Sequence, residues 1–174
     1  LDLAGRMADM PLAPVLALAG QEGSGLVSSS SYHVFGKGSN VNVEGPLQLR
    51  QAAWKGLSLE DGHGFVSFRD NMMELSDWKL AMDRGSHVVN GRIDMRQEDL
   101  GLDLVVDTEK VRIEPLLVVA GLEESIALTG NLTNRMRITG TVSDPCVQGE
   151  AEMADGSVEG QLIDSVTGRY FYHK

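Results

Sequence analysis

The residues whose types could do chemistry are few and scattered. Histidines stand at positions 33, 63, 87 and 173, with no His-x-x-x-His spacing and no cysteine beside them. A zinc-type site needs three or four ligands, some of them closely spaced, so these read as turn or surface histidines. Gly36-Lys37-Gly38-Ser39 shares residue types with a phosphate loop, but it lacks the earlier spaced glycine and runs into strand-like alternation. Asp103, Asp107 and Glu109 fall on one side of an extended run. Paired carboxylates do acid–base work in sugar-cleaving folds, yet alternating acids are also what a solvated strand face carries. Cys146 is the only cysteine, so no internal disulfide forms; beside Pro145 it reads as a small apolar side chain. Asn131-Leu132-Thr133 fits a glycosylation acceptor, a pattern common by chance. The expectation is a protein that is not an enzyme, with no catalytic residue, metal or cofactor.

Composition narrows the partners. The formal charge of −10 over 174 residues, with no run among the 15 basic residues, argues against a nucleic-acid groove, which is built on clustered Lys and Arg. No stretch reaches the roughly 18 to 20 apolar residues of a membrane span. Aromatic residues make up only 5% of the chain, so Leu, Val and Met carry the apolar surface.

The elements that could position anything are short strands. From Val41 onward apolar residues alternate with polar ones: Leu47 and Leu49, Leu57 and Leu59, Val66 and Phe68, Met73 and Leu75, Trp78 with Leu80 and Met82, Ile93 and Met95. Leu102 and Leu104 continue the set, followed by Ile138, Val142 and Met153. Gly45, Gly56, Asp61-Gly62, Asp70-Asn71, Arg84-Gly85 and Asn90-Gly91 punctuate the runs and read as turns. Gly23-Ser24-Gly25 and Ser28 to Ser31 read as a flexible or edge-exposed connection. Two Pro-initiated apolar segments, Leu12 to Leu18 and Leu116 to Val119, each closing on a glycine, read as short helices. The apolar parity switches between Phe68 and Met73 and again before Trp78, which leaves the inward phase of each strand open.

The chain also repeats itself. A shift of 104 positions sets Gly36 on Gly140, Gly45 on Gly149, Gly56 on Gly160 and Gly64 on Gly168. Upstream the shift is 101, placing Leu1-Asp2-Leu3 on Leu102-Asp103-Leu104 and Pro14 on Pro115. This divides the chain into a first unit, residues 1–101, and a second, residues 102–174, expected to be a shortened copy within one continuous β-body. Neither end shows the atypical capping repeat of a complete array, so the expectation is a piece of a longer protein.

The most complete form of the repeat is Gly140-Thr141-Val142-Ser143-Asp144-Pro145-Cys146-Val147-Gln148-Gly149, with Asn40-Val41 in place of Asp-Pro in the first unit. With the Pro-initiated segments and the closing Gly168-Arg169-Tyr170-Phe171-Tyr172, it resembles the AsmA-like repeat of the TamB family, the inner-membrane-anchored subunit of a translocation and assembly module in Gram-negative-type envelopes. The resemblance implies a mainly β fold: a curved antiparallel meander forming an open, U-shaped, taco-like sheet with an aliphatic interior and one or two short helices. It also implies a periplasmic, envelope-spanning protein of outer-membrane biogenesis whose membrane anchor lies elsewhere. The expected partners are phospholipid or another acyl-chain lipid, an Omp85-class outer-membrane barrel protein, and nascent outer-membrane proteins as a further client.

On that reading the groove lining is Leu47, Leu49, Leu57, Leu59, Val66, Phe68, Met73, Leu75, Trp78, Leu80, Met82, Ile93, Met95, Leu102, Leu104, Ile138, Val142 and Met153. Two other readings stand beside it. Strand edges could hold barrel or autotransporter proteins, making the chain a scaffold. A surface adhesin or sugar-active β-helix would call for aromatic platforms, which the low aromatic content disfavours.

Overall fold

The computed structural model describes residues 1–14, 23–37, 40–54, 57–82, 85–96, 99–114 and 127–173, with Trp54, Leu57, Ser58 and Met82 described by backbone alone. Nearly all of it is strand. Ten strands follow one another: β1 Asp2–Pro11, β2 Gly23–Lys37, β3 Asn40–Trp54, β4 Leu57–Arg69 and β5 Met72–Met82, then β6 Gly85–Asp94, β7 Gly101–Arg112, β8 Leu128–Thr141, β9 Pro145–Val158 and β10 Gln161–His173. Each pairs antiparallel with the next, giving one ten-stranded sheet in sequence order. Ala13-Pro14 and Ile113-Glu114 have helical geometry. The rest of the two predicted helices lies outside the described residues.

The expected mainly β, antiparallel, open meander is the architecture found. Its expected U-shaped curl is corrected, because the sheet is open and uncurled. Closing a meander requires the strand register to shear steadily in one sense. Here β1 pairs with β2 and β10 with β9, and the two outer strands do not pair with each other, so the meander stays open. Nine spacings of about 4.8 Å separate β1 from β10, roughly 43 Å across the sheet.

Several residues expected in turns lie inside strands. Gly45 is in β3, Asp61-Gly62 in β4 and Asn90-Gly91 in β6. Gly91 shows why glycine serves there: its φ is +136°, and an added Cβ would meet the Asp103 carbonyl oxygen at 2.1 Å. The Ser-rich connection is also corrected, being the middle of β2. Its hydroxyls are held by neighbouring strands: buried Ser29 donates to the Pro46 carbonyl at 2.7 Å, and Ser28 donates to Asp9 Oδ1 at 3.3 Å. True two-residue turns occur at Asp70-Asn71, with φ of 51° and 57°, and at Glu159-Gly160, with φ of 49° and 78°. Positive φ at both central residues matches the turn twist to that of the strands.

Among the described residues five other non-glycine positions are left-handed: Asp9, Gln51, Asp77, Lys110 and Asp155. One falls in each odd-numbered strand. Their spacing follows the sequence repeat, since Asp9 and Lys110 differ by 101 positions and Gln51 and Asp155 by 104. Strand pairing obeys the same shift. Gly45↔Val66 becomes Gly149↔Tyr170, Leu47↔Gly64 becomes Ala151↔Gly168, and Trp54↔Leu57 becomes Val158↔Gln161. Every β3–β4 partner pair recurs in β9–β10, so β10 lies on β9 as β4 lies on β3.

Candidate functional site

Directly paired residues in a sheet point to the same side, so the pairings assign each side chain to a face. Leu3, Val34, Val43, Phe68, Met73, Ile93 and Leu102 stand side by side on strands β1 to β7. One step along, Val66, Leu75, Gly91, Leu104, Ile138, Val147 and Tyr172 form a second row on β4 to β10. A third row runs Trp78, Val89, Val106, Met136, Gly149 and Tyr170 on β5 to β10. Leu47 and Leu49 on β3 and Leu80 on β5 join this face through Gly64 and Gly62. Met153 joins it through Leu132 and Val166.

Two devices keep the apolar side chains in phase where the sequence parity slips. The Asp70-Asn71 turn brings Phe68 opposite Met73, although five positions separate them. In β5 the left-handed Asp77 forms a bulge between Leu75 and Trp78, the extra residue returning Trp78 to the face of Leu75. Leu59 returns to this face past Gln51 in the partner strand, for a Cβ on Gly62 would stand 3.0 Å from both Leu59 Cδ2 and Leu80 Cδ2. The side chains of Leu57 and Met82 lie outside the described residues. Met95 and Val142 belong to no strand and are exposed, Met95 donating its N–H to the Asn71 carbonyl and Val142 to that of Leu100. No strand pairing places either on the apolar face. Val27, Val89, Val106, Val111 and Met136, absent from the sequence-derived set, do share it. For Val106 the signal was its phase with Leu102 and Leu104; for Val27 it was hidden by the serines.

The apolar face contains one polar row. His87, Thr108 and Asn134 are paired across β6, β7 and β8 and are all buried. His87 Nδ1 is 2.9 Å from the Thr108 hydroxyl, and the Tyr170 hydroxyl donates to Asn134 Oδ1 at 2.9 Å. Burial pulls the His87 pKa below its ordinary value, because the charged imidazolium loses hydration there. The Tyr170 ring crosses Gly149 on the way to Asn134, an added Cβ at Gly149 meeting its hydroxyl oxygen at 2.7 Å.

The opposite face is a lattice of charges. Arg137 grips Asp103 with two bonds of 2.9 and 3.1 Å, Arg135 approaches Asp107 at 3.4 Å, and Arg169 meets Glu150 at 2.8 Å. Asp2, His33, Glu44 and Arg69 form a second group. There the hydrogen bond to Asp2 raises the His33 pKa, and that from Arg69 lowers the Glu44 pKa. Asp103 and Asp107, the carboxylates that the sequence offered for acid–base work, are thus each engaged by an arginine. An open depression of about 720 Å³ lies on this side between Asp107, Glu109, Arg135, Glu150, Glu152 and Arg169. Among the described residues no group of three or more His, Cys, Asp and Glu is placed to hold a metal ion. No helix among them is long and apolar enough to cross a membrane.

The arrangement is therefore an amphipathic sheet, mostly apolar on one side and ion-paired on the other. No family model matches the chain, and neither a curated protein nor a solved structure does.

Proposed function

We propose that this chain is a segment of a TamB-like envelope protein of outer-membrane biogenesis, whose apolar face shields phospholipid acyl chains between inner and outer membranes. The observation that carries the reading is the apolar row from Leu3 to Leu102, continuous over seven strands. It runs across the strands, in the direction in which further repeats would add, so the surface lengthens without changing character. Removing a CH₂ group from water is worth about 0.8 kcal/mol, so a 16-carbon chain gains at most roughly 13 kcal/mol against water. Against a bilayer the gain is near zero. Such a surface conducts without trapping, and continuity between rows matters more than any single residue. The deciding experiment is a photo-crosslinking amino acid at Leu75 or Leu104 in the full-length protein in cells, compared with Glu74 or Asp103. Lipid captured at the leucines alone supports the reading, and capture at the acids alone reverses it.

A second reading rests on the sheet edges. Leu162, Phe171, Tyr172 and Val166 on β10 are 91%, 68%, 53% and 49% exposed. Unpaired edges of this kind accept strands, which fits a scaffold for outer-membrane barrel or autotransporter proteins working with an Omp85-class partner. Crosslinks confined to edge positions, with a lipid-free apolar face, would favour it.

A further inference from the structure

We infer that the polar row on the apolar face, His87 and Asn134 with Thr108 between them, seats the ester carbonyl of a glycerophospholipid whose acyl chain lies along the strands. The inference rests on the lipid reading above and adds to it a recognition point and a direction for the chain.

The row presents hydrogen-bond donors. His87, Thr108 and Asn134 are only 9%, 3% and 8% exposed. The Thr108 hydroxyl has one proton, and among the described residues its hydrogen-bond partner is His87 Nδ1 at 2.9 Å. Donating that proton leaves the neutral ring with its own proton at Nε2. Burial lowers the His87 pKa, which keeps the ring neutral near pH 7. On Asn134 the side-chain oxygen accepts from Tyr170 at 2.9 Å, so Nδ2 remains a donor. Neither Nε2 of His87 nor Nδ2 of Asn134 has a partner among the described residues. Neither is sealed, for the enclosed side-chain polar atom without a partner among those residues is Glu114 Oε2.

An N–H group facing an apolar surface costs free energy unless an acceptor arrives with whatever covers that surface. The row continues into Leu80 on β5 and Ala151 on β9, so no cation stands in it to receive a phosphate or a carboxylate. An uncharged acceptor at the head of an alkyl chain fits, and in a phospholipid that acceptor is the ester carbonyl.

The apolar rows beside it have the matching length. Along β7, Thr108 is followed on the same face by Val106, Leu104 and Leu102, and along β6, His87 is followed by Val89, Gly91 and Ile93. Three steps of two residues cover about 20 Å. One leaflet of a bilayer's hydrocarbon core is about 15 Å deep. A chain headed at the polar row therefore ends within the apolar rows. The polar row also runs parallel to them, so a lipid moving from β6 to β8 passes between donors about 10 Å apart without turning over.

The test uses the chain of residues 1–174 with phosphatidylcholine vesicles containing a trace of a diester phospholipid that carries a diazirine in one acyl chain, either beside the carbonyl or near the methyl end. The first probe should mark Leu80, Val89 and Val106, and the second Ile93 and Leu102. Unlabelled diester lipid should compete with capture about tenfold better than a diether lipid of the same chain length, which lacks the carbonyl. His87→Leu and Asn134→Leu should each shrink that preference, whereas His87→Gln, which keeps an N–H donor, should retain it. The depth of labelling is read in the native chain, so it stands even where a variant fails to fold. Equal competition by the two lipids, a preference untouched by both leucine variants, or labelling without regard to depth would overturn the seat while leaving the lipid reading in place. Capture of neither probe by the native chain would overturn both.

Discussion

His87 and Thr108 face each other across β6 and β7 on the apolar side, the ring Nδ1 lying 2.9 Å from the hydroxyl. His87 is 9% exposed, and burial depresses its pKa below the 6.5 usual for a histidine. The unfolded chain then takes up a proton at higher pH than the folded one, so stability falls as pH drops below about 6.5 and levels off below the folded pKa. His33 behaves oppositely, because the hydrogen bond to Asp2 raises its pKa. Its contribution is present below 6.5 and is lost as pH rises through the folded value. Thermal midpoints measured from pH 5 to 8 should fall more gently toward acid in His87→Gln than in the native chain. His33→Gln should instead remove the loss on the alkaline side.

Lys110 holds a left-handed backbone at φ 51° near the end of β7, an ion-rich strand. An L-residue there costs roughly 1–2 kcal/mol, against about 0.5–1 kcal/mol for the extra unfolded freedom of glycine. Lys110→Gly should therefore raise stability by about 0.5–1 kcal/mol in urea unfolding. Lys110→Val, β-branched at the same φ, should lower it by more than about 1 kcal/mol. A neutral result for both would mean the bulge relaxes, and the shared bulge position of β1 and β7 would then carry no energetic weight.

Trp78 over Gly64 invites a double-mutant cycle. Trp78→Ala removes a buried ring and its bond to Phe65, at a cost of about 3–5 kcal/mol. Gly64→Ala drives a methyl into the same ring and should destabilise the native chain. The same substitution in the Trp78→Ala background should cost less, giving a coupling of about 1 kcal/mol or more. Part of the penalty should survive, since Trp78 Cα also stands 2.7 Å from that methyl.

The alternation of Leu102, Asp103 and Leu104 is enough to read a strand with two unlike faces, and the meander order follows from the short connections between such runs. The 104-position shift was legible in four glycines, and the pairings of β3–β4 and β9–β10 follow it. What stayed hidden has a common cause: single left-handed residues such as Asp77 and Gln51 change which side later residues face, and no residue type announces them. Asp and Gln are ordinary in loops, so their place in mid-strand shows only as a slip in parity. Strand length was misjudged for a related reason. Gly45, Gly62 and Gly91 resemble turn punctuation, yet they sit inside strands where a neighbour comes close. The polar row of His87, Thr108 and Asn134 was invisible, because its members are far apart in sequence and are joined only by register.

Asp103 and Leu104 are adjacent in sequence and opposite in environment, so they give the sharpest test of the face assignment. Leu104 lies between Gly91 and Ile138 in the second apolar row. Asp103 points the other way into the fork of Arg137. Leu104 is half-buried, and a carboxylate there would lose part of its hydration with no cation among the described residues paired beside it, so Leu104→Asp should cost about 1–3 kcal/mol. Asp103→Asn loses only an exposed ion pair and should cost less than about 1 kcal/mol. Urea midpoints of the two variants give the stability comparison, and lipid crosslinking at Leu75 in the same backgrounds gives the functional one. Leu104→Asp should abolish capture at temperatures where the variant is still folded, whereas Asp103→Asn should leave it intact. Equal costs would put both residues in one environment and undo the two-faced sheet on which the lipid reading depends.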